Sequence, residues 1–292
     1  MRRAWAAVLL VALAGCSSAV VGTESPTVTP APVQGEGTPV GGATAAPDAA
    51  IAPGLSVARV TDPFALADAH RSVLDGRPFT VVRRRTVRNA TGTLRTVQRT
   101  ISVGPDRSRY RAVHTARTVS SYPVQSAADY VDVWVDEAGA TYRIGREDPR
   151  YRHRSHGREA DPVTDVTAHD RLVAVFNGLN WRVTAEDVDS VGKAYYVLRA
   201  DRATDPSVLA VPQLLSDPRN VRARAVVTGD GRLRQYRIRY DASLGEQAVR
   251  VSHTLRFDRV DVTRVERPEW YDEALDATDR SETTPSPTPT GG

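Results

Sequence analysis

From residue 79 to residue 259, long stretches of the chain place an apolar residue at every second position, and this constrains the fold more than any other feature. Period two sends alternate side chains to opposite faces of an extended strand. It predicts strands over 79–89 and 93–103, joined by a turn at Asn89-Ala90-Thr91-Gly92. In the second of these, Arg95, Val97, Arg99, Ile101 and Val103 share a face. Gly104-Pro105-Asp106 turns the chain into a strand over 109–117, and 130–135 and 140–145 make a hairpin across Asp136-Glu137-Ala138-Gly139. Strands over 181–188 and 193–200 follow, then a hairpin of 221–227 with 233–240 across Thr228-Gly229-Asp230-Gly231-Arg232. The last strand, 248–259, aligns Val249, Val251, Leu255 and Phe257 on one face, with 260–265 continuing it.

Helical spacing interrupts this pattern three times. Asp62-Pro63 is an N-cap with proline at the first helical position, and 64–74 follows as a helix that stops at Asp75-Gly76. Residues 163–178 repeat Val166, Leu172, Val173, Val175 and Phe176 at helical intervals. A third, short helix is predicted over 206–215, with Pro212 inside it. The order of elements predicts an α+β fold: one large curved antiparallel sheet, a half-barrel, with about three helices on its concave face.

The chain has 292 residues and one cysteine, Cys16, so disulfides cannot staple it. Arg2-Arg3 precedes an apolar run from Ala4 to Ala14. A membrane-spanning helix needs roughly 20 apolar residues, so this run reads as a signal-peptide core. It ends in Leu13-Ala14-Gly15-Cys16, which resembles the lipobox of prokaryotic lipoproteins. That resemblance implies cleavage after residue 15, a lipid on Cys16, and attachment to the outer, extracellular face of the cytoplasmic membrane. Residues 16–53 are rich in Ala, Gly, Pro, Ser and Thr and read as a tether with a reach of roughly 30–35 Å. Residues 54–278 form the predicted domain, and 279–292 a second low-complexity tail. The net charge is +4, of which Arg2 and Arg3 supply two, so the remainder is nearly balanced.

The element order, lipobox and tether together resemble the LolA/LolB/LppX-type half-barrel lipoproteins. Shorter strings also resemble uncharacterised haloarchaeal lipoproteins: Pro53-Gly54-Leu55, Val60-Thr61-Asp62, Leu66-Ala67-Asp68-Ala69-His70 and Arg267-Pro268-Glu269-Trp270-Tyr271.

Catalytic motifs are absent: there is no G-x-S-x-G, P-loop, G-x-G-x-x-G or H-E-x-x-H. No enzyme activity, cofactor or metal site is therefore expected. His153 and His156 would face opposite sides of a strand, among arginines that repel a cation, and read as part of a solvated loop. Arg83-Arg84-Arg85 with Arg88, Arg95 and Arg99 would make a stripe across two strands. Its two readings are a patch for anionic headgroups or surface polymers, and an exposed face whose arginines pair with Asp and Glu. Nucleic acid is not an expected partner outside a cell. Asn89-Ala90-Thr91 is a glycosylation sequon on a turn. The preferred function is a surface protein that binds or carries a lipid or other hydrophobic ligand. Phe64, Leu66, Val73, Leu74, Val173 and Phe176 from the helices would line its pocket, with Val251, Leu255 and Phe257 from the sheet. The alternative is a structural or interaction module of the cell envelope, in which the same residues fill a solid core.

Overall fold

The computed structural model of the chain describes residues 48–123, 128–155, 165–209 and 214–282. A small ladder, β1 (Ala50–Ala52) with β2 (Leu55–Ser56), leads into helix α1 (Pro63–Val73). The first meander is β3 (Phe79–Arg88), β4 (Thr93–Val103), β5 (Tyr110–Thr118), β6 (Tyr130–Asp136), β7 (Gly139–Ile144) and β8 (Arg150–Ser155). Helix α2 (His169–Gly178) leads to a second meander, β9 (Arg182–Val188), β10 (Ala194–Ala200), β11 (Ser216–Thr228), β12 (Leu233–Leu244) and β13 (Gln247–Asp258). The chain closes on helix α3 (Tyr271–Glu282). Strands β3 to β13 form one 11-stranded antiparallel sheet in the order β8-β7-β6-β5-β4-β3-β13-β12-β11-β10-β9. The two meanders meet at β3 and β13. The sheet is a curved half-barrel that does not close, because its edges β8 and β9 are not paired with each other.

Alternation decides which side chains face inward. Phe79, Val81, Ile101, Val103, Val251, Leu255 and Phe257 are all at most 4% exposed and belong to one continuous core. Helices α1 and α2 cover this inner face. Asp62 caps α1 by accepting hydrogen bonds from the backbone N–H groups of Phe64 (2.9 Å) and Ala65 (3.0 Å). Gly54, at φ +71°, lies so close to α1 that an added Cβ would sit 2.1 Å from the carbonyl oxygen of Asp62. His70, on the buried side of α1, accepts a hydrogen bond at Nδ1 from the backbone N–H of Leu233 (3.1 Å), which ties α1 to β12. Its ring meets Phe257 edge-on at 4.3 Å. Asp165 caps α2 from outside by accepting from the His169 N–H (2.9 Å), and His169 Nε2 reaches Asp68 of α1 at 2.9 Å. No helix among the described residues is long and apolar enough to cross a membrane.

Several sequence expectations need correction. The 206–215 segment is a single 3-10 turn at Pro206–Leu209, and residues 210–213 lie outside the described residues. The third helix is α3 instead, and it runs into the segment assigned to the tail. The arginine-rich segment at 150–155 is an edge strand, β8, rather than a solvated loop. Residues 260–265 do not extend β13, because Arg259 (φ 50°) and Asp261 (φ 71°) adopt left-handed backbone and turn the chain away. Helix α2 starts at His169, later than predicted, and β1 falls within the segment read as tether.

Helix α3 lies on the other face of the sheet. Val133 and Val135 of β6 point into the main core, so Trp134 between them points outward, where it packs with Trp270, Tyr271 and Ala274. The anchor of this second layer is Asp132, a fully buried carboxylate. It accepts two hydrogen bonds from Arg111 (Nε 3.0 Å, Nη2 2.6 Å), one from the Tyr130 hydroxyl (3.2 Å) and one from Trp270 Nε1 (2.9 Å). Only two of the three helices therefore cover the concave face.

Two outcomes test this packing. Asp132→Ala should lower the unfolding free energy in urea by about 2–3 kcal/mol, less than for a fully enclosed pair because Arg111 keeps access to water. Tyr130→Phe, which removes only the longest bond, should cost about 1 kcal/mol or less. His70 is neutral in the fold, its pKa pulled down from 6.5 to about 3, first by burial. The unfolded chain therefore takes up the proton first, and stability falls as pH drops from about 6.5 towards about 3. His70→Asn keeps an acceptor near Nδ1, and its stability loss between pH 7 and 5 should be smaller than wild type by about 2 kcal/mol in urea titrations.

Candidate functional site

The predicted pocket residues are brought together only in part. Leu66, Leu74, Phe176, Val251, Leu255 and Phe257 meet in the main core, with Val173 packed against it. Val73 is partly exposed, at the end of α1. Phe64 is 62% exposed, because the first turn of α1 points it away from the sheet, so it lines no interior. Asn89 closes the β3–β4 turn: its Oδ1 accepts from the Thr91 N–H (2.9 Å), the Thr91 hydroxyl (2.8 Å) and the Gly92 N–H (2.9 Å). His153 shares a 2.9 Å hydrogen bond with the Thr141 hydroxyl. Cys16 and His156 lie outside the described residues. Among the described residues, no cluster of His, Cys, Asp or Glu could hold a metal ion.

What the inner face gathers instead is positive charge. Strand parity splits the Arg83-Arg84-Arg85 triplet: Arg84 points out, while Arg83 and Arg85 point in with Phe79, Val81 and Val87. The pairing then sets Arg99 opposite Arg83, His114 opposite Arg99, and Arg95 opposite Val87. On the other side, His253 of β13 lies opposite Arg85. The single stripe expected from sequence is therefore two sets of arginines on two faces.

Arg85 is the centre of this arrangement. Among the described residues it makes no hydrogen bond and no ion pair, and its Nε and Nη2 are buried without a partner. Burial pulls its pKa below the ordinary arginine value. Tyr240 and Tyr122 partly offset this, and Arg95 and Arg171 add to it. His253 is held neutral, its pKa lowered to about 3 by burial and then by Arg85 and Arg171. Burial, then Arg99 and Arg95, lowers the pKa of His114. The neighbours that shift these three groups are arginines and tyrosines.

Fixed elements hold the surrounding groups. The Tyr240 hydroxyl donates to the Leu209 carbonyl (2.6 Å), and its ring stacks on His253 at 6.0 Å and 16°. Arg171, on α2, is oriented by a 2.8 Å hydrogen bond from Nη1 to the Val208 carbonyl. The Arg95 guanidinium lies over the Tyr122 ring at 5.4 Å. Arg83 donates from Nη2 to the Asp165 carbonyl (2.9 Å), which joins β3 to the α2 cap. This is a cationic wall with several unsatisfied buried donors: Nε and Nη2 of Arg85, Nε of Arg83 and Nε of Arg95. A buried guanidinium with unmade bonds is costly, and an oxyanion with several acceptor oxygens would satisfy it. The Tyr240 hydroxyl also lies 3.5 Å from His253 Nε2.

No protein-family model matches the sequence, and no curated protein matches it. Among solved structures, the chain is similar to LprF from Mycobacterium bovis at 17% identity and a TM-score of 0.39. The overlap takes in 70% of this chain and 96% of that one. Similarity this loose assigns neither a family nor a ligand, so function rests on the site's own residues.

An unpaired buried charge should cost the protein stability. In buffer without multivalent anions, Arg85→Met is expected to raise the unfolding free energy by about 1–3 kcal/mol. Arg84→Met, on the outward face of the same strand, should change it by no more than about 0.5 kcal/mol. Urea midpoints of the two variants measure both.

Proposed function

We propose that this chain is a lipid-anchored protein of the cell envelope whose half-barrel receives an anionic, amphipathic ligand on its inner face. One observation carries the reading: Arg85 is half-buried in the inner wall, with its Nε and Nη2 buried and unpartnered among the described residues. Arg171 and Arg95 add positive charge around it. The ligand class is an oxyanion, such as a phosphate, sulfate or carboxylate, carried on an apolar body. The charged group would meet Arg85, and the apolar part would lie along the partly exposed rim of the core near Val173 and Val73. This narrows the wider idea of a hydrophobic ligand, because the residues that would line a purely apolar pocket are already packed against one another.

In this reading the chain carries no catalysis. Cys16 is the lipidated residue, residues 1–15 are removed, and the domain works on the outer face of the cytoplasmic membrane. An envelope interaction module without a ligand is the second reading, favoured by the arginines of the outer face.

The test is a calorimetric titration of the Cys16→Ser chain with octyl phosphate, octanol and inorganic phosphate. Octyl phosphate should bind most tightly, and Arg85→Met should weaken it about tenfold or more, as expected for loss of a charge-assisted hydrogen-bonding partner. Octanol should bind both proteins equally. Equal octyl phosphate affinity in wild type and Arg85→Met would overturn the proposal.

A further inference from the structure

The outer face of the second meander carries an arginine lattice that the inner site does not use. On β10, β11 and β12, Arg199 lies directly opposite Arg224, and Arg224 directly opposite Arg237. In the next row, Arg222 lies opposite Arg239. The first row continues through Thr254 of β13 to Arg84 of β3. All six arginines are exposed, and none is in an ion pair or hydrogen bond among the described residues, in contrast to Arg250 and Arg256, which are paired with Asp241 and Asp258. Five of the six, with Gln235 and Thr254, border an open hollow of about 480 Å³.

Like charges set directly opposite on adjacent strands oppose sheet formation. The fold holds three in a row and two beside them with no ion pair to any of them among the described residues, and the nearby Asp241 is already paired with Arg250, so an external anion is favoured. The lattice spreads over neighbouring strands about 4.8 Å apart. It offers many equivalent positive points and no cleft shaped to one oriented molecule. That geometry suits a surface of separate, laterally mobile anionic groups.

We infer that this face docks on the anionic headgroups of a lipid bilayer. The choice of a bilayer over a soluble polyanion rests on the lipid-anchor reading, because a tether ending at the first described residues keeps the domain beside a membrane. The inner-face ligand plays no part in it, since Arg85 points the other way.

The experiment is co-sedimentation of the Cys16→Ser chain with vesicles of equal parts phosphatidylcholine and phosphatidylglycerol, against pure phosphatidylcholine. Wild type should prefer the anionic vesicles and lose that preference as salt rises. Each arginine near an anionic surface contributes about a fivefold effect on binding, so loss of two charges should weaken it about 30-fold, and Arg224→Glu/Arg237→Glu, which also adds two negative charges, by more than that. The same charge change on the far edge strand, Arg150→Glu/Arg152→Glu, should leave most of the binding. Arg224→Gln/Arg237→Gln guards against misfolding of the charge-reversed protein and should give a smaller loss in the same direction. Unchanged binding in the lattice variants, an equal loss in the β8 variant, or binding to heparin but not to vesicles would each overturn the inference. Octyl phosphate affinity should be the same in wild type and the lattice variants, which separates this failure from failure of the inner site.

Discussion

The pairing of β3 with β13 is the contact on which everything else depends. It runs antiparallel from Arg250 opposite Arg88 to Asp258 opposite Thr80 without a bulge. It joins the first strand of one meander to the last strand of the other, so two separate sheets become one continuous surface. Phe257 opposite Val81 and Val251 opposite Val87 bury apolar side chains against α1 and α2 and fix the register. A slip of one residue would turn the whole buried row to solvent and put Arg84 and Arg256 in the core. The same register brings Arg85 beside His253. Fold and candidate site thus share one seam.

Much of this seam was legible in the sequence. Strands with one apolar face announce themselves, and β3, β4, β7, β10 and β13 fall close to where period two places them. Strand β8 does not. Its sequence, Arg-Tyr-Arg-His-Arg-Ser, has no apolar face, and its place comes from pairing at the sheet edge and from Tyr151 stacking on Trp270. Helix α3 was hidden for a related reason: its acidic composition gives little apolar signal, and its anchor, Asp132, lies far away in sequence. The 206–215 segment misled in the opposite direction, since apolar spacing alone does not distinguish one 3-10 turn from a helix.

The candidate site shows a different limit. Arg83, Arg84 and Arg85 form one run in the sequence, and charge invites the assumption that all three are solvated. Parity, the rule that found the strands, also sends the outer two of the three inward. Whether an inward arginine is then paired depends on residues from four other elements, which no local pattern encodes. Of the apolar residues chosen as pocket liners, six are buried, Val73 and Val173 are half-buried and Phe64 is exposed, but burial in a core and exposure to a cavity have the same signature in sequence.

The two edge strands, β8 and β9, are neighbours in the chain although they stand at opposite ends of the sheet. One covalent connection, bearing α2, must therefore run from rim to rim. Geometrically it is the chord of an arc. A sheet of this kind could flatten or tighten freely if its rims were independent, but here the span between them is limited by the length of that chord. The breadth of the half-barrel is thus bounded by that connection as well as set by the twist of its strands.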